Sequence, residues 1–358
     1  MINGILFDMD GVLIDSEQYI NKAAVEFFSR KHVKVRSEDF IPYVGAGENN
    51  YLGKVAEKYG YPIDLESAKI ETYTIYGELI EGKEQALPGV IRFIKNAHKA
   101  DIAMGIATSA DRMKMEINLK VMGLDPAWFK VLLNGRDVER KKPYPDMYVE
   151  AAKKMGVPIE QCVVFEDAIN GVQAAMAAKA FCCGLTTSFS SGQLLGNGAD
   201  VIISTLDDFF DFSTKEQFNR ELTRLKAKQS AIVAREHAYT PYSKFKVGAA
   251  VVSKATNAIY SGCNVENSSY GATICAERGA MMKGLSVEGD FTVDMIVVVS
   301  DDSPPAPPCA LCLQVLAEFT PSDADVYLHD MNDTAVHYRF NELLPHPFIF
   351  PDQRGRRP

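Results

Sequence analysis

Tryptophan is almost absent from this sequence, with one in 358 residues, and the seven cysteines form an odd, unevenly spaced set. Such a set in a long chain does not suit a disulfide framework; it suits reduced thiols or metal ligation, so a reducing compartment is expected. No uninterrupted apolar run approaches the ~20 residues that span a bilayer, and no membrane partner is expected. No basic stretch, signal core or cleavage site precedes the opening run Ile5 to Asp10, which makes the cytoplasm the expected address. Positive charge is also short. The formal net charge of −9 argues against a generally basic surface tracking nucleic-acid phosphates, so small-molecule partners are expected and nucleic acid is not.

What is present describes a globular chain, with 47% hydrophobic and 24% charged residues, too long for one ordinary hydrophobic core. Up to about residue 211, short apolar runs (Ile5 to Phe7, Ile102 to Thr108, Val131 to Leu133, Cys162 to Phe165, Val201 to Ile203) alternate with amphipathic stretches. That rhythm is the pattern of an α/β parallel sheet with crossover helices. A largely helical insertion over about 16–86 reads as a cap on a first domain spanning 1–212. After a polar join near Ser213, a second α/β layer structure is expected over 216–350, and the basic tail Gln353 to Pro358 carries no fold signal.

Asp8-Met9-Asp10-Gly11-Val12 follows an apolar strand, so both carboxylates emerge at the ligand side of a parallel sheet. One carboxylate can attack phosphorus while its neighbour two residues on moves the proton, and the pair can bind a divalent cation. Taken alone, D-x-D-G equally fits a turn. Three further pieces follow in order: Thr108-Ser109 at a strand end, Lys142-Pro143 opening a helix, and Glu166-Asp167 closing another strand. This set resembles the haloacid dehalogenase-like hydrolases, in the subgroup of β-phosphoglucomutase and pseudouridine-5'-phosphatase. The resemblance implies a Rossmann-like sheet with a helical cap, Asp8 as nucleophile and Asp10 as acid/base. It further implies Thr108, Ser109 and Lys142 on the phosphoryl oxygens, and Mg2+ held by Asp8, Asp167 and the Asp10 carbonyl. Glu166 fits either an orienting carboxylate or a helix-start acid. Mutases of the subgroup carry a His and an Arg where this chain has Ile20 and Glu48, which favours simple phosphatase activity. Lys179 and Ala168 stand where the family often has Gly and Ser.

Further on, Cys275-Ala276-Glu277 precedes Pro308-Cys309-Ala310-Leu311-Cys312. Three thiolates leave a tetrahedral zinc one open position, and a carboxylate two residues from the first can shuttle a proton. A buried structural role or a closed structural zinc site is the competing account, with Cys263 as the available fourth sulfur, while Cys162, Cys182 and Cys183 read as core. The arrangement matches the zinc-deaminase pattern. With Tyr242 to Phe245, Gly262 to Asn267 and Tyr270 to Ile274, it resembles the homotetrameric cytidine deaminases, implying a cytidine-deaminase-like α/β/α domain. The resemblance implies Zn2+ on Cys275, Cys309 and Cys312, and Glu277 in catalysis. It assigns Asn264 and Glu266 to the ribose, Phe245 to the pyrimidine, and Ala276 to the base through its backbone. The segment Leu344 to Phe348 resembles the family's C-terminal segment, whose aromatic residue reaches a neighbouring subunit's site, so the resemblance implies that role for Phe348 and a homo-oligomer. Leu313 and Ala310 depart from the usual Arg and Gly. The expectation is a bifunctional hydrolase: a phosphatase for a pyrimidine nucleoside monophosphate joined to a cytidine/deoxycytidine deaminase. The alternatives are a phosphatase for pseudouridine monophosphate, a flavin precursor or a sugar phosphate, or a nucleic-acid editor.

Overall fold

The computed structural model describes residues 1–43, 48–83, 86–332 and 334–350. The tail beyond 350 and the side chain of Glu48 lie outside the described residues. The chain divides into two compact units, Met1–Asn219 and Arg220–Pro358.

The first unit opens with β1 (Gly4–Phe7), then the helices α1 (Glu17–Arg30), α2 (Glu48–Lys58) and α3 (Leu65–Ile80). These three form the helical insertion. Its entry and exit are tied together by a bridge between Ile14 and Ala86 and by the Leu87 N–H donating to Leu13 O at 3.0 Å. The alternation then runs α4 (Val90–Lys99), β2 (Ala103–Ala107), α5 (Arg112–Met122), β3 (Val131–Leu133), α6 (Asp146–Met155), β4 (Cys162–Glu166), α7 (Ile169–Ala178), β5 (Phe181–Leu185), α8 (Ser191–Gly196) and β6 (Val201–Ile203). The sheet order is β3-β2-β1-β4-β5-β6, with every pair parallel. Strands buried on both faces explain the nearly continuous apolar runs. Phe7, Phe165, Phe93 and Phe209 stack edge and face beneath one side of the sheet. Cys162, Cys182 and Cys183 are fully buried strand residues, and burial pushes the Cys162 thiol up to about 12.

Two departures flagged in the sequence resolve at the ends of α7. Lys179 occupies the left-handed C-cap position with φ 64°, a conformation glycine adopts without penalty. Ala168 offers no capping side chain at the N-terminus, and the Glu166 carboxylate accepts from the backbone N–H groups of Asp167 and Ala168 at 3.1 Å each instead.

Helix α9 (Lys215–Glu236) spans the division between the units. The second unit continues with β7 (Val247–Ser253), β8 (Ile259–Cys263), α10 (Ala276–Glu288), β9 (Val293–Ser300), α11 (Ala310–Leu316), β10 (Asp325–His329), β11 (Ala335–Arg339) and α12 (Phe340–Leu343). Its mixed sheet has the order β11-β10-β9-β7-β8, with β9 and β10 parallel and the remaining pairs antiparallel. Strands β10 and β11 were not evident in sequence. Each has five residues and mixes charged or imidazole side chains with its apolar ones, so neither shows the apolar run that marks β9.

Candidate active sites

In the first unit, β1 and β2 run in register with Phe7 opposite Ile106, so Asp8 and Thr108 leave adjacent strand ends. Asp8, Thr108, Glu166 and Asp167 are all buried. Lys142 donates to Asp8 Oδ1 at 2.5 Å and to Glu166 Oε1, gathering strand ends β1 and β4 around one cation. Glu166 also accepts from Tyr148 Oη at 2.6 Å, and burial pushes the Tyr148 phenol well up. With donors from Lys142, Tyr148 and two backbone amides, Glu166 orients the lysine and the β4–α7 turn. Thr108 is fixed by its own N–H, which donates to Leu133 O at 3.1 Å, and its Oγ1 accepts from Ala110 N–H at 3.1 Å. Ser109 is half-buried beside it.

Asp10 is set apart. Its carboxylate accepts from Ser16 Oγ and from Lys114 Nζ, the latter at 2.9 Å. Gly11 makes the turn that follows the two aspartates possible. Its φ is +80°, and a Cβ there would lie 2.0 Å from Asp167 Oδ2. Asp167 accepts in turn from Ser188 Oγ. Oxygens of Asp8, Glu166 and Asp167 lie within 4.8 Å of one another. Burial, with Glu166 adding, pushes Asp8 up to about 7 against the pull of Lys142, and burial raises Asp167 well above the carboxylate range. Crowded, dehydrated carboxylates of this kind are relieved by a hard divalent cation, so Asp8 and Asp167 suit Mg2+. Ser16, Lys114, Tyr148 and Ser188 were not read from the sequence. They lie outside any motif and reach the site only through tertiary packing.

In the second unit, Cys275 and Cys309 are the N-cap residues of α10 and α11, and Cys312 lies one turn into α11. Their sulfurs all lie within 4.8 Å, with Cys275 and Cys309 at 4.0 Å. Zn–S bonds of about 2.3 Å in a tetrahedron separate sulfurs by ~3.8 Å, so the set fits zinc. Cys263, at the end of β8, is not part of this group. A hydrogen bond from Cys312, joined by Arg278 and Cys309, draws the Cys275 thiol down to about 5, and the Cys312 thiol is raised in exchange. Arg278 Nη2 lies 3.8 Å from Cys275 Sγ and donates to Thr273 O at 2.7 Å. Glu277 is buried, which raises its carboxyl, and Cys312 Sγ lies 3.6 Å from its Oε2. Leu313 is packed into the apolar core of this unit.

The loop before β7 is organised by two residues expected at a ribose. Asn264 accepts from Val247 N–H at 2.9 Å and donates to Phe245 O at 2.8 Å; Glu266 accepts from the N–H groups of Tyr242 and Ser243 at 2.9 and 3.2 Å. Both therefore shape the segment that carries Phe245. Gly262 lets β8 lie directly on α10, since a Cβ there would meet Ala280 N at 2.6 Å and Ala276 O at 2.8 Å. Ala276 is fully buried at that contact, whereas the Phe348 ring is largely exposed.

Comparison with known proteins finds a different family for each part of the chain. The family model for haloacid dehalogenase-like hydrolases matches residues 2–179, and that for the cytidine and deoxycytidylate deaminase zinc-binding region matches residues 223–328. The cytidine deaminase of Halalkalibacterium halodurans is 47% identical over 124 residues, covering 35% of this chain and 92% of that protein. The chloroplastic protein SUPPRESSOR OF QUENCHING 1 of Arabidopsis thaliana is 38% identical over 204 residues, which are 56% of this chain but only 19% of that protein's length. Among solved structures, CbbY from Rhodobacter sphaeroides in complex with phosphate superposes with a TM-score of 0.52 at 26% identity, covering 57% of this chain and 95% of its own. No described helix is long and apolar enough to cross a membrane. The chain belongs to two hydrolytic enzyme families in series, the haloacid dehalogenase-like hydrolases through its first unit and the cytidine deaminases through its second.

Proposed function

We propose that the first unit is a magnesium-dependent phosphatase for a pyrimidine nucleoside monophosphate such as CMP, and that the second deaminates cytidine or deoxycytidine with zinc. The observation that carries this is the presence, in one chain, of the Asp8–Lys142–Asp167 cluster and of three sulfurs beside a buried Glu277. The product of the first reaction is then the substrate of the second.

In the first step an Asp8 oxygen bonds to phosphorus as the ester P–O bond breaks, and Asp10 gives its proton to the departing oxygen. Asp10 next takes a proton from the water that cleaves the aspartyl phosphate, releasing phosphate and restoring both carboxyl groups. Thr108, Ser109 and Lys142 hold the phosphoryl oxygens. A magnesium ion on Asp8, Asp167 and the Asp10 carbonyl would supply the positive charge that lets a carboxylate approach a phosphate dianion. Ile20, buried in α1, offers no proton-transfer group from the cap, which favours release of phosphate over its return to a sugar.

In the second unit Glu277 takes a proton from the attacking water and delivers it to the amine that leaves. Zinc on Cys275, Cys309 and Cys312 would supply the Lewis acid that makes water nucleophilic near neutral pH. Asn264 and Glu266 present the ribose contacts, Phe245 packs on the pyrimidine and the Ala276 backbone reads the base. A site that hydrogen-bonds ribose hydroxyls disfavours a free base, which would leave those groups unpaired. Exposed Phe348 fits a homo-oligomer in which it reaches a neighbouring copy. Seven unpaired cysteines fit a reducing, cytoplasmic setting.

Product analysis tests the assignment. Wild-type protein given CMP should yield phosphate and uridine. Asp8→Asn should stop phosphate release yet leave deamination of cytidine, and Glu277→Gln should do the reverse. Neither product from CMP, with wild-type protein that deaminates cytidine, would sink the proposed sequence of reactions.

A further inference from the structure

Both oxygens of the Asp10 carboxylate are engaged within the chain, Oδ1 by Ser16 Oγ and Oδ2 by Lys114 Nζ at 2.9 Å. Lys114 comes from α5, and its side chain is only 5% exposed. Behind its ammonium lies the ring of Tyr76, from α3 of the cap, at 6.0 Å. Tyr76 Oη donates to Asn118 Oδ1 at 2.5 Å, and Asn118 stands one turn beyond Lys114 on the same face of α5. A lysine is buried only where paired, because a lone ammonium away from water is costly. Here the pairing partner is the carboxylate assigned to proton transfer.

We propose that Lys114 is a positioning residue for Asp10. With Oδ2 anchored by the lysine, rotation of the carboxyl group is stopped. Oδ1, whose serine partner can either donate or accept, is then the oxygen that carries the transferable proton. During ester cleavage the Asp8 oxygen bonds to phosphorus, the ester P–O bond breaks, and the Oδ1 proton passes to the departing oxygen to give a neutral alcohol. The inference rests on the phosphatase assignment above, and it makes a demand that assignment does not. In the ester-cleavage step, loss of Lys114 should matter in proportion to how much the leaving oxygen needs that proton.

The test compares an alkyl ester, CMP, with p-nitrophenyl phosphate, whose stabilised phenolate leaves without a proton. For Lys114→Met, the single-turnover rate of alcohol release from CMP should fall ~100-fold while KM and the single-turnover release of p-nitrophenolate change at most about 3-fold; hydrolysis of the aspartyl phosphate, where Asp10 serves as base, slows alike for both esters. Lys114→Arg should recover most of the CMP rate. Adding Lys114→Met to Asp10→Asn should cost little more, since both act through one carboxylate. Equal losses in the release step on both esters, or a rise in KM alone, would overturn the positioning role while leaving the phosphatase intact. Wild-type protein inactive on both esters would instead remove the phosphatase assignment and this inference together.

Discussion

The side-chain amide of Gln314 and the backbone of Phe348 hold each other by two hydrogen bonds, Nε2 to the carbonyl at 3.0 Å and Oε1 from the N–H at 2.9 Å. Gln314 follows the sulfur ligand candidate Cys312 by two residues, so α11 carries both a zinc ligand candidate and the segment that presents an aromatic ring outward. With each hydrogen bond contributing ~1 kcal/mol, Gln314→Ala should raise KM for cytidine about 5- to 30-fold and spare kcat. Steady-state kinetics alongside sedimentation would check this. Unchanged KM with unchanged sedimentation would remove Phe348 from the proposed substrate site.

Zinc retention should depend on Arg278. Three thiolates and a divalent ion carry net negative charge; Arg278 stands 3.8 Å from Cys275 Sγ, and Leu313 adds no charge from the core. Arg278→Met should weaken zinc binding ~10- to 100-fold, read as faster metal loss to a chelator. Phosphate release by the first unit should not respond.

Lys179→Gly should stabilise the first unit by about 1 kcal/mol, because φ 64° penalises a side chain that glycine lacks. Thermal or urea unfolding would show it as a raised midpoint. A lowered midpoint would mean that the lysine stem contributes packing larger than the strain.

Asp111, at the N-cap of α5, joins the cap to the core through Lys69 at 3.1 Å and Arg136 at 2.9 Å. These partners hold its carboxyl below the ordinary carboxylate value in spite of burial. A group depressed on folding contributes stability above its unfolded pKa, about 3.9, and that contribution disappears as pH falls through the lower folded value. Asp111→Asn should therefore lower the unfolding midpoint of the first unit at neutral pH and narrow its difference from wild type below about pH 4. A difference that persists undiminished into acid would rule out the ion pairs as its source.

The motifs were legible because their chemistry depends on spacing within short segments. Asp8 and Asp10 flank one residue, Glu166 and Asp167 end one strand, and Cys309 and Cys312 share one helical turn. Apolar runs and helical periodicity likewise exposed most of the parallel sheet, since strands buried on both faces must be apolar throughout. The five-residue strands β10 and β11 escaped because polar side chains interrupt their pattern.

By itself the sequence determined which residue types stand at each strand and helix end, and hence two chemistries: a carboxylate cluster suited to magnesium and phosphate, and a trio of sulfurs suited to zinc. Tertiary structure decided which neighbours set those groups to work. Lys114 reaches Asp10 across 104 residues, and Tyr76 comes up behind it from the cap. Asn264 and Glu266 serve the Phe245 loop through backbone contacts that no spacing reveals. The physical reason is common to all of these. A ligand set repeated along one segment is local, whereas a hydrogen bond or ion pair between segments exists only after the sheet has set their register and burial has removed the competing water.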